Sequence, residues 1–373
     1  MKEGREYRIF ESCLVKVPKQ VQVKSKDYKK EGKYPIVSQE AELISGYWDD
    51  DTIVYHHQEP VVIFGDHTKN IKYIDFNFVV GADGTHILST KNDINPKFFY
   101  YVLKSIKLRE LGYARHYKLL KEKYIPVPPL SEQQSIVDYL DSAFAKIDVM
   151  KVNAEKSLME AKALFQASLK EMLEPKEGWE EKKLKEVVIT ITDGDHQPPP
   201  KAHVGIPFIT ISNIDKNSNK IVFGETFYVP QSYYCALKKD RIPQQGDVLY
   251  TVTGSFGIPV LVDFQKEFCF QRHIALIRPN MGLLSSTYLF YWILSSYATS
   301  QAEDTATGAA QRTVSLNSLR NFTINFPPLS EQQSIVATLD SLKSKVDRLQ
   351  ANYDMISQEC DALKQAILRQ VFT

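Results

Sequence analysis

The sequence has few cysteines, and they form no motif. Across 373 residues there are four, at Cys13, Cys235, Cys269 and Cys360, and no two are spaced as in a Cys-x-x-Cys pair, a zinc site or a disulfide framework. No apolar run is long enough to span a bilayer, and no charged-then-apolar signal segment opens the chain. We therefore expect reduced cysteines in a cytoplasmic protein that does not enter a membrane.

An excess of charge of either sign is also missing. The 46 Lys and Arg residues nearly balance 45 Asp and Glu residues, for a net charge of +1. A strongly cationic nucleic-acid binder is excluded, so any role in DNA binding depends on where polar side chains are placed. All eight histidines lie within 1–130 and 176–329, which makes these two segments the candidates for a polar binding surface.

Catalytic signatures are absent. The sequence contains no P-loop, no His-Glu-x-x-His, no Gly-x-Ser-x-Gly and no dinucleotide-binding glycine motif. None of its Pro-Pro pairs has the flanking residues of an adenine-flipping methyltransferase loop. The acidic stretches 193–196 and 49–51 are explained more simply as a turn and a solvated loop than as metal sites. We predict no catalytic residue, no metal site and no cofactor in this chain.

Two long stretches lack both glycine and proline. In Ser131–Leu173, apolar or small residues recur at spacings that alternate between four and three, which predicts one helix about 65 Å long. Pro175 and Gly178 are expected to end it. The stretch from Ser330 to about Phe372 has the cleaner heptad pattern and predicts a second long helix.

Both stretches open with the same ten residues. Pro128–Val137 recurs unchanged as Pro327–Val336, 199 residues later. The paired prolines cannot continue a preceding helix, and the serine of each copy, Ser131 or Ser330, is predicted to be an N-cap in a capping box with the glutamine three residues on. An identity of this length indicates a duplicated unit.

The segments before the two copies have similar patterns. In 1–130 we predict strands at Tyr34–Ser38, Pro60–Gly65 and Phe76–Val80 and a helix at Pro96–Lys107. Residues 176–329 repeat this pattern at Ile206–Thr210, Gly246–Tyr250 and Tyr288–Leu294. The prediction is an α+β fold with two similar domains, 1–130 and 176–329, separated by helices 131–175 and 330–373 that pack as an antiparallel coiled coil with pseudo-two-fold symmetry.

The second predicted helix has large apolar side chains on its stripe, whereas the first has small residues there and its large ones, such as Phe144, Leu158 and Phe165, one position to the side. Small residues of the first helix stand opposite large residues of the second, a pairing that suits close packing. The predicted helix and partner interface consists of Phe144, Ile147, Leu158, Phe165, Leu342, Val346, Leu349 and Tyr353. We expect Phe144, Leu158 and Phe165 to be surplus to the helix pair and free to meet a partner.

Two loops in matching positions have side chains suited to DNA. Residues 115–118 and 311–313 each follow a glycine and precede one copy of the repeat. Arginine, lysine, glutamine and histidine side chains match base edges and phosphates. The alternative is that these are ordinary solvated surface residues.

With these features together, the chain closely resembles the specificity (S) subunit of type I restriction-modification systems over nearly its whole length. Besides the two repeats, the resemblance is carried by the stretches 62–68, 79–85, 114–118, 192–196, 246–254 and 271–276. On this resemblance the predicted DNA contacts are His67, Lys69, Arg115, His116, Lys118, His196, Gln197, Thr253, Arg272, His273, Gln311 and Arg312.

The resemblance implies a non-catalytic role. Each domain would read one half of a split double-stranded DNA sequence, and the helices would fix the gap and dock two methyltransferase subunits. S-adenosylmethionine, ATP and Mg would then belong to those partners and to restriction and translocase subunits.

Two alternative functions stay open: a self-contained DNA methyltransferase or nuclease with a diverged site, and a coiled-coil protein adaptor. The small net charge predicts weak DNA binding by the isolated chain.

Overall fold

The computed structural model describes residues 6–109, 112, 115–308 and 312–372. It divides into two compact units, one made of Met1–Asn153 with Asp354–Thr373 and the other of Ala154–Tyr353. The unit boundaries fall inside both long helices, so the division into four segments stays a prediction. Among the helices of the described residues, none is both long and apolar enough to cross a membrane.

The first unit is rich in short strands. Its strands are β1 (Tyr7–Ile9), β2 (Leu14–Val15), β3 (Gln22–Val23), β4 (Tyr34–Val37), β5 (Gly46–Trp48), β6 (Val54–Tyr55), β7 (Val61–Gly65), β8 (Ile71–Ile74), β9 (Phe78–Gly81), β10 (Thr85–Thr90) and β11 (Tyr124–Pro126). Its helices are α1 (Pro96–Ser105), α2 (Tyr117–Lys121) and the first part of α3 (Leu130–Met172). The strands and the helix predicted in this segment are confirmed to within two residues at nearly every end.

In the first unit, strand pairing joins the beginning of the domain to its end. The first strand, β1, pairs antiparallel with β11, the strand that leads into the long helix. One sheet has the order β2-β10-β7-β8, and a second has the order β3-β9-β4-β5 with β6 on β9. Helix α1 begins at Pro96 because the side chain of Asn95 accepts hydrogen bonds from the N–H groups of Lys97 and Phe98. Its apolar face covers the first sheet, with Phe98 and Phe99 buried against Phe64.

The second unit repeats this plan. Its strands are β12 (Glu180–Lys183), β13 (Val188–Asp193), β14 (Ile206–Ile209), β15 (Ile214–Asp215), β16 (Lys220–Ile221), β17 (Phe227–Val229), β18 (Val248–Thr251), β19 (Pro259–Leu261), β20 (Cys269–Phe270), β21 (Ile274–Pro279) and β22 (Thr323–Phe326). Its helices are α4 (Leu184–Val187), α5 (Gln231–Ala236), α6 (Ser286–Leu294), α7 (Ser296–Thr305), α8 (Leu316–Arg320) and the first part of α9 (Leu329–Phe372).

The topology of the second unit matches the first in its main strand pairings, although the five-stranded sheet is replaced by β17-β14-β20 and a separate β15-β16 pair. Here β12 pairs with β22, the sheet β13-β21-β18-β19 corresponds to β2-β10-β7-β8, and β14 pairs parallel with β20 as β4 does with β9. Helix α6 occupies the place of α1, with Ser285 as its N-cap. The predicted internal repeat is therefore a repeat of structure as well as of sequence.

Both long helices are confirmed, but the predicted capping box is wrong. Each helix begins one residue earlier than expected, at Leu130 or Leu329. The carbonyl oxygen of Pro129 accepts the first hydrogen bonds, from the N–H groups of Glu132 and Gln133, and Pro328 does the same in the second copy. Proline has no N–H to leave unpaired, so it fits the position before the first turn, and the serine lies inside the helix.

The buried glutamine of each repeat joins a domain to its helix. Gln133 is 0% exposed, its Nε2 donates to the carbonyl oxygens of Asp93 (2.9 Å) and Pro128 (2.7 Å), and its Oε1 accepts from the N–H of Asn95 (2.8 Å). All three polar positions of one side chain are thus used to fix the start of α3 against the N-cap of α1.

The second copy builds the same joint. Gln332 is also 0% exposed, its Nε2 donates to the carbonyl oxygens of Leu283 and Pro327 at 2.8 Å, and its Oε1 accepts from the N–H of Ser285 at 2.9 Å. A tyrosine of the short helix reinforces each joint by donating to an aspartate of the long one. The pairs are Tyr101 with Asp141 and Tyr291 with Asp340.

The far end of a long helix completes the core of each unit. In the first unit Leu368 and Phe372 of α9 are buried, and the Phe372 ring lies 5.6 Å from that of Phe98. In the second unit Leu169 of α3 and Leu173 just after it are buried at the equivalent places, 199 residues earlier. Each domain therefore uses residues from both helices.

The predicted helix interface is mostly covered. Ile147, Leu158 and Phe165 are buried, while Phe144, Leu342, Val346, Leu349 and Tyr353 are partly buried. The expectation that Leu158 and Phe165 are free for a partner is wrong, because Phe165 packs into the core of the second unit against Tyr291 and Leu158 is also buried. The large apolar side chains left exposed on the two long helices are Leu130, Tyr139, Val149, Met150, Val152, Met159, Leu164, Met355 and Leu363.

Candidate nucleic-acid interface

A buried aspartate organises the polar surface of the first domain. Asp66 directly follows β7 and is 3% exposed. Its N–H donates to the carbonyl oxygen of Gly84 at 2.8 Å, and its own carbonyl oxygen accepts from the N–H of His116 at 2.8 Å. Its Oδ1 accepts from the N–H of Tyr117 at 2.8 Å. One residue thereby ties together the end of a strand, the turn before β10 and the loop that leads into α2.

The second carboxylate oxygen of Asp66 faces two cationic or titratable side chains. His86 Nε2 lies 3.3 Å from Asp66 Oδ2, and Arg115 Nε lies 3.9 Å from the same atom. The ring of His86 stacks on Tyr117, with centroids 4.1 Å apart and planes 9° apart. Arg115 is 73% exposed at its side chain, at the edge of a polar cleft of about 680 Å³.

The turn after Asp66 is fixed from a different direction. Gln39 Oε1 accepts from the N–H of His67 at 3.1 Å, and the carbonyl oxygen of Gln39 accepts from the hydroxyl of Thr68. Lys69 has a positive φ of 60° and its N–H donates to Gly65 at 2.9 Å, which closes the turn. His67 and Lys69 are therefore held at a fixed, partly exposed turn beside Arg115.

The second domain has its own carboxylate at the end of β13. Asp193 Oδ2 lies 2.9 Å from His196 Nε2, and its Oδ1 lies 3.6 Å from Arg241 Nη2. Nearby, the Tyr233 hydroxyl donates to Asp195 at 3.1 Å. Burial opposes ionisation of Asp195, but hydrogen bonds from the Gln197 N–H and from Tyr233 outweigh it, so the pKa of Asp195 is lowered.

His273 lies in the same polar cluster of the second domain. Burial lowers the pKa of His273, and the positive charges of Arg272 and His196 lower it further. The carbonyl oxygen of His273 accepts from the N–H of Val252 at 2.9 Å, which places it beside the loop after β18. The imidazole is thus neutral at neutral pH, next to an exposed arginine.

The loop after β18 is fastened by backbone hydrogen bonds. Gly254 N–H donates to Arg312 and Val314 N–H donates to Val252, both at 2.9 Å. The Arg312 side chain is exposed, its Nη2 donates to the carbonyl oxygen of Glu303, and its guanidinium lies over the Phe256 ring at 5.4 Å. This loop is the structural counterpart of the one that Asp66 holds in the first domain.

Two of the twelve predicted DNA contacts are buried. His116 is 1% exposed, because its ring and its N–H both turn inward to the carbonyl oxygen of Asp66. Thr253 is also buried, and it forms an isolated bridge with Thr313. In this structure both residues contribute to the shape of their loops.

The remaining predicted contacts divide by exposure. Gln311 lies outside the described residues. Arg115, Lys118, His196, Gln197, Arg272 and Arg312 are exposed, and His67, Lys69 and His273 are partly exposed. Whether any of them touches DNA stays a prediction.

The two acidic stretches have explanations other than metal binding. Asp193 faces the Arg241 guanidinium, which competes with a cation for the carboxylate. Asp49 pairs with Lys29 at 2.7 Å, and Asp50 caps a turn by accepting from the N–H of Thr52 at 2.9 Å. Within residues 6–109, 112, 115–308 and 312–372, no group of three or more His, Cys, Asp or Glu side chains is placed to hold a metal ion.

Several organising residues were missed at the level of sequence. They are Asp66, His86, Tyr117, Asp193 and Arg241. A signal was present for the two aspartates, since each stands at or directly after the end of a buried strand, beside a turn. Their partners are distant in sequence, and no local pattern identifies them.

Comparison with known proteins agrees with this geometry. The model of the type I restriction modification DNA specificity domain matches residues 13–159 and again 176–356. The chain is 22% identical over 343 residues to the type I restriction enzyme EcoBI specificity subunit of Escherichia coli, covering 80% of this chain and 71% of that protein. It is 26% identical over 310 residues to a putative type I restriction enzyme specificity subunit of Haemophilus influenzae, covering 78% and 76%.

Solved structures show the same fold. A chain from a type I restriction-modification system, solved to explain its assembly and conformational transition, superposes with a TM-score of 0.69 at 19% identity, covering 98% of this chain and 97% of that one. The HsdS subunit from Thermoanaerobacter tengcongensis gives a TM-score of 0.51 at 20% identity, with 100% and 97% covered. Because the family model matches most of the sequence, in two copies that follow the structural repeat, the chain belongs to the type I restriction modification DNA specificity family.

Proposed function

We propose that this chain reads a bipartite double-stranded DNA target through two recognition domains whose separation is set by its long helices. The observation that carries the proposal is the joint built twice. Gln133 and Gln332 use the same three hydrogen bonds to fix a recognition domain to the start of a long helix. A rigid joint is what a spacer needs if helix length is to determine the distance between two half-sites.

The helix contacts support an antiparallel pair. In the first unit Asp148 pairs with Lys364, and Lys151 Nζ lies 3.9 Å from Asp361. Moving three residues forward along α3 thus moves three residues backward along α9. An antiparallel pair of two equal helices with one domain joined to the start of each has pseudo-two-fold symmetry, and two half-sites in opposite orientation would suit it.

The exposed apolar helix residues support docking of partner subunits. Tyr139, Val149, Met150 and Val152 are more than half exposed on one stretch of α3. We propose that two methyltransferase subunits bind the helices and supply S-adenosylmethionine, and that restriction and translocase subunits supply ATP and Mg chemistry. The chain would act in the cytoplasm, where the DNA and these partners meet.

The competing functions are less well supported. A self-contained methyltransferase or nuclease needs a catalytic constellation, whereas the relatives are named specificity subunits. A coiled-coil adaptor does not explain polar loops that are held by hydrogen bonds in both domains, through Asp66 in the first and through Val252 and Gly254 in the second. The function of this chain is therefore assigned to recognition and not to catalysis.

Mapping methylated bases in a host genome that carries the complete system tests the proposal. We expect two short defined sequences separated by a gap of fixed length. Replacing residues 1–130 with the corresponding segment of another specificity subunit should change one of the two sequences and leave the other and the gap unchanged. An unsplit methylated sequence, or an unchanged one after the replacement, would show that the proposal is wrong.

A further inference from the structure

We propose that Arg115 reads a guanine in the half-site bound by the first domain, and that Asp66 is the positioning residue that presents Arg115 for this contact. The inference rests on the proposed function and adds to it a base, a side chain and a device that orients the side chain. It depends on the cleft beside Asp66, on the anchoring of Arg115 and on the hydrogen-bonding pattern of purines.

The cleft has the chemistry of a base-reading surface. Its volume is about 680 Å³, and its polar lining consists of Lys19, Gln20, Gln22, Asp66, Asp83, Thr85, His86 and Arg115. Glutamine, arginine and lysine side chains are those that hydrogen-bond with the edges of bases. The carboxylates of Asp66 and Asp83 match the two cations of the cleft in number, so the cleft favours recognition by hydrogen bonds over attraction by net charge.

The Arg115 side chain is exposed and faces a fixed carboxylate at 3.9 Å, which is longer than a hydrogen bond. The carboxylate near its Nε belongs to Asp66, which is itself fixed by hydrogen bonds with Gly84, His116 and Tyr117. An unrestrained surface arginine samples many rotamers, and ordering it on binding costs free energy. With the Nε edge facing Asp66, the terminal Nη1 and Nη2 groups remain to donate two parallel hydrogen bonds.

Guanine fits these two donors. In the major groove it presents two adjacent acceptors, O6 and N7, and bidentate arginine is the side chain that commonly reads them. Adenine offers a donor beside its acceptor and would oppose one Nη group. A phosphate would also accept two hydrogen bonds but is the same at every base pair, so sequence preference separates the two possibilities.

His86 and Tyr117 complete the positioning device. Their rings stack on each other, and His86 Nε2 shares Asp66 Oδ2 with Arg115. The carboxylate is therefore placed by contacts within the domain, one of them with His86, which also lines the cleft. Replacing Asp66 with asparagine keeps an oxygen for the Tyr117 N–H and nearly the same volume but removes the negative charge that faces Arg115.

The test uses the full chain in the assembled methyltransferase, with duplexes that carry its methylated sequence or single base-pair changes in either half-site. For Arg115→Ala we expect the preference for G·C at one position of the first half-site to fall roughly 5- to 100-fold, the range of one bidentate contact. Asp66→Asn should relax the same position by a smaller factor. Preferences in the second half-site should be unchanged in both variants, which shows that bipartite reading itself is intact.

Lys118→Ala is the matched control, because Lys118 is an exposed cation three residues away with no such anchor. We expect it to weaken binding equally for all sequences.

Two outcomes would overturn the proposal. The first is a first half-site that contains no G·C pair. The second is an Arg115→Ala variant whose binding is weakened by the same factor for every sequence, which would make Arg115 a phosphate contact. In that case Asp66→Asn would raise affinity for all duplexes, because it removes a negative charge near DNA. If the wild-type complex itself showed no sequence preference in either half-site, that result would count against the proposed function.

Discussion

The two halves of the chain are alike where a domain meets its helix and different where a domain presents its loops. Gln133 and Gln332 make the same three hydrogen bonds at distances that agree within 0.2 Å. The residues directly after β7 and β18, Asp66 and Val252, make matching backbone hydrogen bonds, but only Asp66 adds a side-chain carboxylate that accepts from the N–H of Tyr117.

The difference indicates that the joint between domain and helix is more tightly constrained than the side chains of the loops. A joint that sets a distance works only with one geometry, so both copies keep it. A loop that reads DNA needs a stable backbone but different side chains when the two half-sites differ. Both halves keep the backbone bonds, and the side chain at this position differs: Val252 in the second half and, in the first, a buried carboxylate that also faces Arg115.

The largest effect is expected when the equivalent buried leucines that the ends of the two long helices contribute to the two cores are replaced. Leu368→Ala should lower the free energy of unfolding of the first unit by about 2–5 kcal/mol, and Leu169→Ala should do the same for the second, because both leucines are fully buried. Amide hydrogen exchange resolved by peptide should show lost protection in the unit that contains each change. Leu363→Ala, at an exposed position of α9, is the control and should leave protection unchanged.

Equal losses at the two sites would confirm that each domain is completed by a helix end. If Leu368→Ala left residues 60–104 as protected as in the wild type, the contribution of α9 to the first core would be refuted.

The next test breaks one joint at a time. Gln133→Leu leaves the N–H of Asn95 and the carbonyl oxygens of Asp93 and Pro128 without their partner, and each unsatisfied buried group costs about 1–3 kcal/mol. We expect a loss of about 3 kcal/mol, measured by urea denaturation, and a similar loss for Gln332→Leu. The control is Gln333→Leu, next to Gln332, because Gln333 is exposed. Its counterpart Gln134 is less suitable because it accepts a hydrogen bond from Asn95 Nδ2 at 2.9 Å. A gap of unchanged length in the methylated sequence of Gln133→Leu would show that the joint serves stability alone.

A smaller effect should distinguish the two tyrosine contacts. Tyr291→Phe removes the hydrogen bond to Asp340, and a bond to a charged group contributes about 1.5 kcal/mol or more. Tyr101→Phe should cost less, because Lys97 lies 2.6 Å from Asp141 and still pairs with it. Thermal unfolding of the two variants should give the larger shift for Tyr291→Phe, and equal shifts would mean that the lysine does not compensate.

Local patterns made the scaffold predictable, and distant contacts made the site unpredictable. The long helices were placed within one residue because the absence of Gly and Pro and the heptad spacing act over neighbouring residues. The role of Gln133 was missed because its partners Asp93 and Asn95 are about 40 residues away, and the serine that fits a capping box lies within the helix. His116 reads as a polar loop residue, and only the position of Asp66, 50 residues earlier, turns it inward.

The smallest predicted effect concerns a histidine that only the second domain carries at this place. Burial and two neighbouring positive charges lower the pKa of His273 in the folded state, so the unfolded chain binds the proton more tightly. The stability contributed by neutral His273 is therefore fully present above its unfolded pKa of about 6.5 and is lost as the pH falls through the lowered folded value. Urea denaturation between pH 7.5 and 5 should show a steeper loss of stability in the wild type than in His273→Gln. If the unfolding free energy fell with pH equally in the two proteins, the pKa of His273 would not be lowered by folding. His273 would then be as exposed to solvent as Arg115 is in the first domain.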